Sequence, residues 1–255
     1  RAVLKGHKKD DPAPLGELNQ TIVSAAVTEI LDTAKKGSIV LDVGANVGWF
    51  TLLARSMGMQ VEAFEPLWPN VFRICESLFL NRWSSGRQDK QEPIANPPFV
   101  NIHRYAVGDA TSEELTIYQA GAYSSVLQSF VGLGGKQASP ETVPHTTMDA
   151  FCSSKGILQK SIPLLKISVD GGEGSVIKGA KKLLQGKTVQ NVLITVGSSP
   201  VDADMVTILI GAGYRLHKWG SSAGPNQEYT QAQGTKAVMN VIEKKPAPLT
   251  MWWKV

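Results

Sequence analysis

The chain has 255 residues, of which 42% are hydrophobic and 19% are charged, a balance typical of a globular protein with a sizeable core. The net charge of +4 is a mild excess that does not by itself indicate a nucleic-acid partner. No apolar run reaches the ~18 residues that suggest a membrane span, and the two cysteines, Cys75 and Cys152, are interpreted as small packing residues rather than a disulfide framework.

Helix and strand patterns alternate along the chain. Residues 17–36 place apolar side chains at intervals of four, which predicts a helix, whereas "SIVLDV" (38–43) is apolar throughout, as expected of a central strand. Further helices are predicted over 47–57, 69–82, 175–184 and 201–212, and further strands over 60–65, 99–107, 163–169, 191–196, 214–219 and 236–244. This alternation predicts an α/β fold with one doubly wound, mostly parallel sheet, and the last two strands predict an antiparallel hairpin at its edge.

Two segments interrupt the alternation. Residues 84–98 are polar and proline-rich and predict a surface loop, and residues 108–148 hold short β-like pieces. No linker separates domains, so we expect an N-terminal extension and helix over 1–37 and one domain over 38–255. The sequence begins at Arg1, so an upstream targeting segment stays open, with a cytoplasmic location as the default expectation.

The stretch "SIVLDVGANVGWFTLLARSMGMQVEAFEP" (38–66) carries the clearest chemical signal. Asp42 and the glycines Gly44 and Gly48 come where the first strand ends, and Glu65 ends the next strand. Ligands of open parallel sheets bind beyond the carboxyl ends of the strands, where glycines let the backbone approach closely. A carboxylate at the position of Glu65 can accept both ribose hydroxyls of a nucleoside.

The order of residues in the loop indicates which nucleoside binds. Dinucleotide sites read G-x-G-x-x-G and cradle a pyrophosphate, whereas here Asn46 replaces the middle glycine and an acid precedes the loop. An acid would repel a pyrophosphate but suits an ammonium group. S-adenosylmethionine has a ribose, an ammonium group and no phosphate, so we expect it across Asp42, the loop from Gly44 through Ala45 and Asn46 to Gly48, and Glu65.

The chain resembles the FkbM-type methyltransferases, which use S-adenosylmethionine and have the class I, Rossmann-like fold. The matching pieces are "VLDVGANVGWFTLLA" (40–54), "VEAFEP" (61–66), "FLNRW" (79–83), "HRYAVGD" (103–109), "TTMDAF" (146–151), "LLKISVDGGEGSVIKGAKKLL" (164–184), "NVLITV" (191–196) and "GAGYRLH" (211–217). The resemblance implies methyl transfer to a hydroxyl of a sugar or other small metabolite or glycan. It also implies a cofactor contact at Ala106 and a closing strand, near 236–244, inserted antiparallel between its neighbours.

The sequence departs from the family pattern in the half that faces the acceptor. The family reads K-I-D-V-E-G-x-E, but here Ser168 replaces the first acid and Asp170 the second, and Thr195 stands where a glutamate is usual. A hydroxyl acceptor needs a base or a metal to take its proton. Asp170 and Glu173 are therefore the catalytic candidates, although an acid at the position of Glu173 also suits a helix N-terminus without any catalysis. No metal site is predicted.

One alternative to an active O-methyltransferase stays open, and a second is set aside. Because acids are lost beside an intact cofactor motif, the chain could be a catalytically impaired, S-adenosylmethionine-binding regulatory or structural protein. A nucleic-acid methyltransferase would need a flipped-base pocket such as N-P-P-Y after the fourth strand. "NPPF" (96–99) precedes the third strand instead, so no nucleic-acid partner is predicted.

Overall fold

The computed structural model describes residues 15–83, 99–120, 123–125, 139–197, 201–221, 224–228, 234–244 and 248–255. The loop predicted over 84–98 lies outside the described residues. None of the described helices is both long and apolar enough to cross a membrane.

The described part of the chain alternates between helices and strands, as the sequence predicts. The helices are α1 (Leu15–Asp32), α2 (Trp49–Ser56), α3 (Trp68–Leu80), α4 (Met148–Ser154), α5 (Glu173–Lys178), α6 (Lys181–Gln185), α7 (Ala203–Gly211) and α8 (Thr235–Ile242). The strands are β1 (Ile39–Val43), β2 (Gln60–Phe64), β3 (Val100–His103), β4 (Ala106–Val107), β5 (Ser112–Ala120), β6 (Tyr123–Ser125), β7 (Ser139–Thr146), β8 (Leu164–Ile167), β9 (Asn191–Val196), β10 (Arg215–Ser221), β11 (Gly224–Glu228) and β12 (Leu249–Lys254).

Eight strands form the main sheet in the order β11-β10-β12-β9-β8-β1-β2-β3. The five strands from β9 to β3 are mutually parallel, whereas β12 runs antiparallel to β9 and β10, and β11 runs antiparallel to β10. The predicted mostly parallel, doubly wound sheet with an antiparallel edge is therefore confirmed. The carboxyl ends of β1, β2 and β8, which are neighbours, bring the predicted site residues to one edge.

The two faces of this sheet carry separate apolar layers. Alternate residues of β1 show this, because Val40 packs with α1, α2 and α3 while Leu41 and Val43 pack with α4 to α8. Strands covered on both sides read as continuous apolar runs, which explains why "SIVLDV" shows no alternation.

The closing strand is not where the sequence analysis places it. Residues 236–244, predicted as a strand, lie mostly in α8, and a helix therefore separates the last two strands of the sheet. Val238 and Ile242 are both buried, which is the i, i+4 spacing of a helix. The strand inserted antiparallel between its neighbours is β12, whose first five residues are all buried.

Two smaller predictions also need correction. The helix predicted over 175–184 is two short helices, α5 and α6, because the chain breaks at Gly179 and Ala180. Cys152 is buried as predicted, but Cys75 is exposed on α3. The inner face of α3 is formed by Val71, Ile74 and Leu78, so a residue one position after Ile74 points outward.

The segment 108–148 contributes a second sheet, with β4 from just before it, in the order β4-β7-β5-β6. A small apolar cluster of Leu67, Ile117 and Val143, with Ala106 packed against it, joins this sheet to the chain just after β2. The short β-like pieces of the sequence analysis are thus real strands.

Candidate cofactor and acceptor site

Asp42, the next-to-last residue of β1, is enclosed by protein. Its side chain is 1% exposed, and its Oδ2 accepts a 2.7 Å hydrogen bond from Thr51 Oγ1 at the start of α2. Its Oδ1 lies 3.0 Å from Lys166 Nζ, an ion-pair distance, although the angle there does not make a hydrogen bond. The lysine also donates a 2.8 Å hydrogen bond to the carbonyl of Gly44. Asp42 therefore supports the loop indirectly, through its contacts with Thr51 and Lys166.

Glycine is required at positions 44 and 48 because other parts of the protein pack directly against them. Gly44 has φ +77°, and a Cβ there would lie 1.9 Å from the carbonyl oxygen of Ser168. Gly48 has φ +91°, and a Cβ there would lie 2.8 Å from a side-chain carbon of Ile74. Both positions need the left-handed conformation that glycine adopts without strain. The loop thus lies directly against the turn that follows β8.

The middle of the loop faces Glu65. The backbone N–H groups of Gly44 and Ala45 each donate a 3.0 Å hydrogen bond to Phe64 O, which ties the loop to the end of β2. Asn46 has φ +52°, a conformation that asparagine tolerates, and its N–H donates to Glu65 Oε2 at 2.8 Å. Its side-chain Oδ1 is buried without a hydrogen-bond partner among the described residues. A buried acceptor of this kind is a place for a ligand donor.

Glu65 is 4% exposed and is also bonded by its own surroundings. Its Oε1 accepts from Leu67 N at 3.0 Å and from Asn70 Nδ2 at 3.1 Å. A carboxylate offers about four acceptor positions, so Oε2, bonded only by Asn46 among the contacts identified, keeps capacity for a ligand hydroxyl. Burial is the main cause that raises the pKa of Glu65, and the hydrogen bonds from Leu67, Asn70 and Asn46 oppose it.

The turn after β8 contains the two catalytic candidates, and they differ. Glu173 is buried and folds back on its own turn, because its Oε1 accepts from Val169 N at 3.0 Å and its Oε2 from Gly171 N at 3.1 Å. Asp170 is half-buried and has φ +52°, followed by Gly171 at φ +107°. Left-handed backbone at a non-glycine residue is uncommon and is enriched at functional sites.

The pKa values of Asp170 and Glu173 are both raised. Burial raises the pKa of Asp170, and the positive charge of Lys166 opposes this rise. Burial also raises the pKa of Glu173, with backbone hydrogen bonds opposing it and the charge of Asp170 adding to it. A carboxyl with a raised pKa is a better base at neutral pH than an ordinary one.

The remaining predicted residues lie further along the two sheets. Ala106 is half-buried in β4, beside the apolar cluster that contains Leu67, and its partner in register is His145 of β7. Thr195, near the end of β9, has its hydroxyl 3.3 Å from that of Thr250 on β12. The structure therefore brings Asp42, Glu65 and the loop together, and places Asp170 and Glu173 next to that loop.

The sequence analysis did not single out Lys166 or Thr51. Lys166 is 4% exposed and is the sole charged residue in "PLLKISV" (163–169), which was the available signal, since a lysine is almost never fully buried unless it is paired. Thr51 follows the glycine loop inside an apolar helix, and nothing in the sequence distinguishes it from a packing residue. Among the described residues, no group of three or more His, Cys, Asp and Glu side chains is placed to hold a metal ion.

Other family motifs meet in a packed junction. A Cβ on Gly179 would lie 1.8 Å from the carbonyl oxygen of Gly108, so the chain after α5 touches the chain after β4 directly. Asp149 donates from its backbone N–H to Gly179 O at 2.9 Å, and its carboxylate accepts from Lys182 N and Leu183 N at the start of α6. Packing thus accounts for these residues without any ligand.

The strand order, the glycine loop after β1 and the acid at the end of β2 define an S-adenosylmethionine-dependent methyltransferase of the Rossmann-like class. The family model described as "Methyltransferase FkbM domain" matches residues 42–216, so the chain belongs to the FkbM methyltransferase family. S-adenosylmethionine is its cofactor.

Among curated proteins, none matches the sequence significantly. Solved structures that are similar to the chain include a TehB-like SAM-dependent methyltransferase from Corynebacterium glutamicum, with 9% identity, TM-score 0.42 and coverage of 94% of this chain and 95% of that one. An rRNA methylase from Streptococcus thermophilus has 10% identity, TM-score 0.43 and coverage of 91% and 95%. TrmK from M. capricolum, in complex with S-adenosyl-homocysteine, has 9% identity, TM-score 0.41 and coverage of 91% and 69%.

Proposed function

We propose that this methyltransferase is an O-methyltransferase that acts on a hydroxyl of a sugar, glycan or other small metabolite. The observation that carries the proposal is the position of Asp170. Its carboxylate sits in a left-handed turn whose first residue, Ser168, packs against Gly44 of the cofactor loop. A base placed beside the methyl donor is what a hydroxyl acceptor needs, because its proton must leave as the new bond forms.

The cofactor would be held by residues that keep free hydrogen-bonding capacity. We assign the ribose hydroxyls to Glu65 Oε2 and a ligand donor to the buried Asn46 Oδ1. Gly44, Ala45 and Gly48 shape the loop, and Ala106 belongs to the same proposal as a wall residue. Asp42 supports the loop rather than touching the ligand, since its side chain is enclosed by Thr51 and Lys166.

When bound, S-adenosylmethionine supplies a methyl group already activated by a positive sulfur. The protein then has to align the acceptor oxygen and receive its proton. Asp170 would take that proton while the oxygen–carbon bond forms and the carbon–sulfur bond breaks. Its raised pKa suits this role, and Glu173, which accepts hydrogen bonds from Val169 and Gly171, would hold the turn that presents it.

The proposal is tested by measuring S-adenosylhomocysteine formation with a panel of sugars, glycosides and small alcohols. Turnover with at least one hydroxyl compound is expected. A parallel arm with tRNA and rRNA tests the prediction that nucleic acid is not a substrate. Methylation of RNA alone would overturn the assignment to small hydroxyl acceptors.

The loss of acidic residues on the acceptor side favours a second function. Ser168 and Thr195 carry no charge where the family carries acids, and Glu173 is bonded to its own turn, so few acids remain on the acceptor side. The chain would then bind the cofactor as a regulatory or structural protein. Ser168→Asp separates the two functions. If the chain is an O-methyltransferase weakened by the loss of the family acid, Ser168→Asp should raise its turnover. If it is a regulatory or structural protein, Ser168→Asp should bind the cofactor and stay inactive.

A further inference from the structure

Lys166 lies on β8 opposite Asp42 of β1 and contacts the glycine loop that follows β1. It projects from β8, is 4% exposed, and reaches Asp42 of β1 at 3.0 Å and the carbonyl of Gly44 at 2.8 Å. Its ammonium also lies 5.3 Å from the ring centre of Phe50 in α2. One side chain thus ties β8, β1, the glycine loop and α2 together.

The same cation acts on the carboxylates of the other strand ends. The charged groups around it are Asp42 in β1, Glu65 after β2 and Asp170 after β8, with Glu173 beyond Asp170. The positive charge of Lys166 lowers the pKa values of Glu65 and Asp170 against the effect of their burial. Lys166 therefore contacts the cofactor half directly, through Asp42 and Gly44, and acts on Asp170 of the acceptor half through its charge.

We propose that Lys166 is a positioning residue for methyl transfer: it fixes the Gly44 carbonyl, and with it the cofactor loop, and it supplies the positive charge shared by Asp42, Glu65 and Asp170. This inference rests on the proposed function, because it assigns Lys166 to the site formed by those residues. It differs from a purely structural role, in which Lys166 would serve only to neutralise the buried carboxylate of Asp42.

The two roles are separated by a pair of variants. Lys166→Met leaves Asp42 buried and unpaired, which should lower Tm by roughly 6–20 °C. The double variant Lys166→Met/Asp42→Asn removes both charges, and the amide oxygen that replaces the carboxylate can still accept from Thr51. The double variant should therefore regain most of the lost Tm. If neutralising Asp42 were the whole role, the double variant would also regain normal ligand binding.

The proposal expects binding to stay impaired when stability returns. S-adenosylhomocysteine, titrated calorimetrically, should bind the double variant about tenfold or more weakly than the wild type, because the loop carbonyl has lost its charged donor. Amide exchange at Asn46 should be about tenfold faster in the double variant without ligand. The Asp170 carboxyl, followed by carbon NMR, should titrate at higher pH than in the wild type. Lys178→Met, which removes a partly exposed lysine paired with Asp202 and Asp204, is the matched control and should change none of these readouts.

Each outcome has a distinct meaning. A stable double variant with normal affinity, normal exchange at Asn46 and an unchanged Asp170 titration would overturn the role of Lys166 and leave the proposed function standing. A wild type with no affinity for S-adenosylhomocysteine would overturn the proposed cofactor site itself. If both variants fail to fold, Lys166→Arg, which keeps the charge but changes the position of the donor, gives the answer. Faster exchange at Asn46 than in the wild type, together with weaker affinity in a stable Arg variant, supports the positioning role. Wild-type exchange and wild-type affinity in that variant contradict it.

Discussion

The cofactor half and the acceptor half of the site use their carboxylates in opposite ways. On the cofactor side, Asp42 and Glu65 are almost fully buried and are held by several partners, so the loop between them is supported by the protein's own contacts. On the acceptor side, Glu173 serves its own turn, and Asp170 alone among the predicted acids is half-exposed. The binding half is thus constrained by the fold itself, whereas the reactive half depends on very few groups.

The largest expected effect comes from the acceptor half. Asp170→Asn keeps the shape of the side chain and suits the left-handed backbone, but it removes the base. Turnover should fall about 10²–10⁴-fold while the affinity for S-adenosylhomocysteine changes little. Steady-state kinetics and calorimetry would measure the two quantities. Asp204→Asn, at an exposed acid of α7, is the control for loss of one negative charge. Unchanged turnover in Asp170→Asn would remove Asp170 from the mechanism.

Gly44→Ala tests whether the cofactor half is constrained by packing. The new Cβ would meet the Ser168 carbonyl at 1.9 Å and would hold alanine at φ +77°. We expect a loss of about 3 kcal/mol or more in the free energy of unfolding, measured by urea titration. Gly58→Ala is the matched control, because Gly58 also has a positive φ of +84° but meets only the flexible side chain of Lys36 at 3.3 Å. Equal losses in the two variants would mean that the contact with Ser168 has no energetic weight.

Glu65→Ala tests the cofactor half by removing one of its two buried acids. S-adenosylhomocysteine should bind more than tenfold more weakly, which corresponds to about 1.4 kcal/mol. Glu65→Gln keeps one carbonyl oxygen for the N–H of Leu67 and should lose less affinity. Calorimetric titration would measure both. Tight binding of NADH, with no affinity for S-adenosylhomocysteine, would contradict the assignment of this half.

The smallest effect is a pH dependence of stability. Burial raises the pKa of Asp170 in the folded state above its value in the unfolded chain, so its contribution is complete at low pH and is lost as the pH rises through the folded pKa. Asp170→Asn and the wild type should therefore have the same free energy of unfolding below the unfolded pKa of about 3.9, and Asp170→Asn should be the more stable of the two at pH 7–8. Thermal unfolding across this range would show the divergence. Parallel curves would mean that the burial of Asp170 has no cost.

Much of the fold follows from the sequence for clear physical reasons. Central strands covered on both faces appear as apolar runs, and α1 shows its buried stripe directly. The prediction failed at 236–244, where a β-rich composition outweighed the i, i+4 spacing of Val238 and Ile242, and at Leu249–Lys254, which no pattern had singled out.

The candidate site was predictable in type but not in its contacts. The residue types at 42, 44, 46, 48 and 65 predict a nucleoside with an ammonium group, but Asp42, on which the ammonium part depends, is enclosed by Thr51 and Lys166. These residue types do not reveal that the buried partner of Asp42 is Lys166, because that pairing joins positions 124 residues apart across neighbouring strands. The sequence left two roles open for Glu173, catalysis or local support of the chain at the helix start. The structure shows hydrogen bonds from Val169 and Gly171 that belong to the second role.

The contact between Gly108 and Gly179 bears on how this enzyme can be engineered. Any side chain at position 179 would start 1.8 Å from the carbonyl of Gly108, so a randomised library that includes this position would consist mainly of misassembled proteins. A library aimed at acceptor range is better confined to Ser168 and Thr195, where the present residues are small and partly exposed, and should leave the proposed base, Asp170, unchanged. The "AVGD" and "IKGA" segments should then be inherited together as one unit when this domain is recombined with a relative.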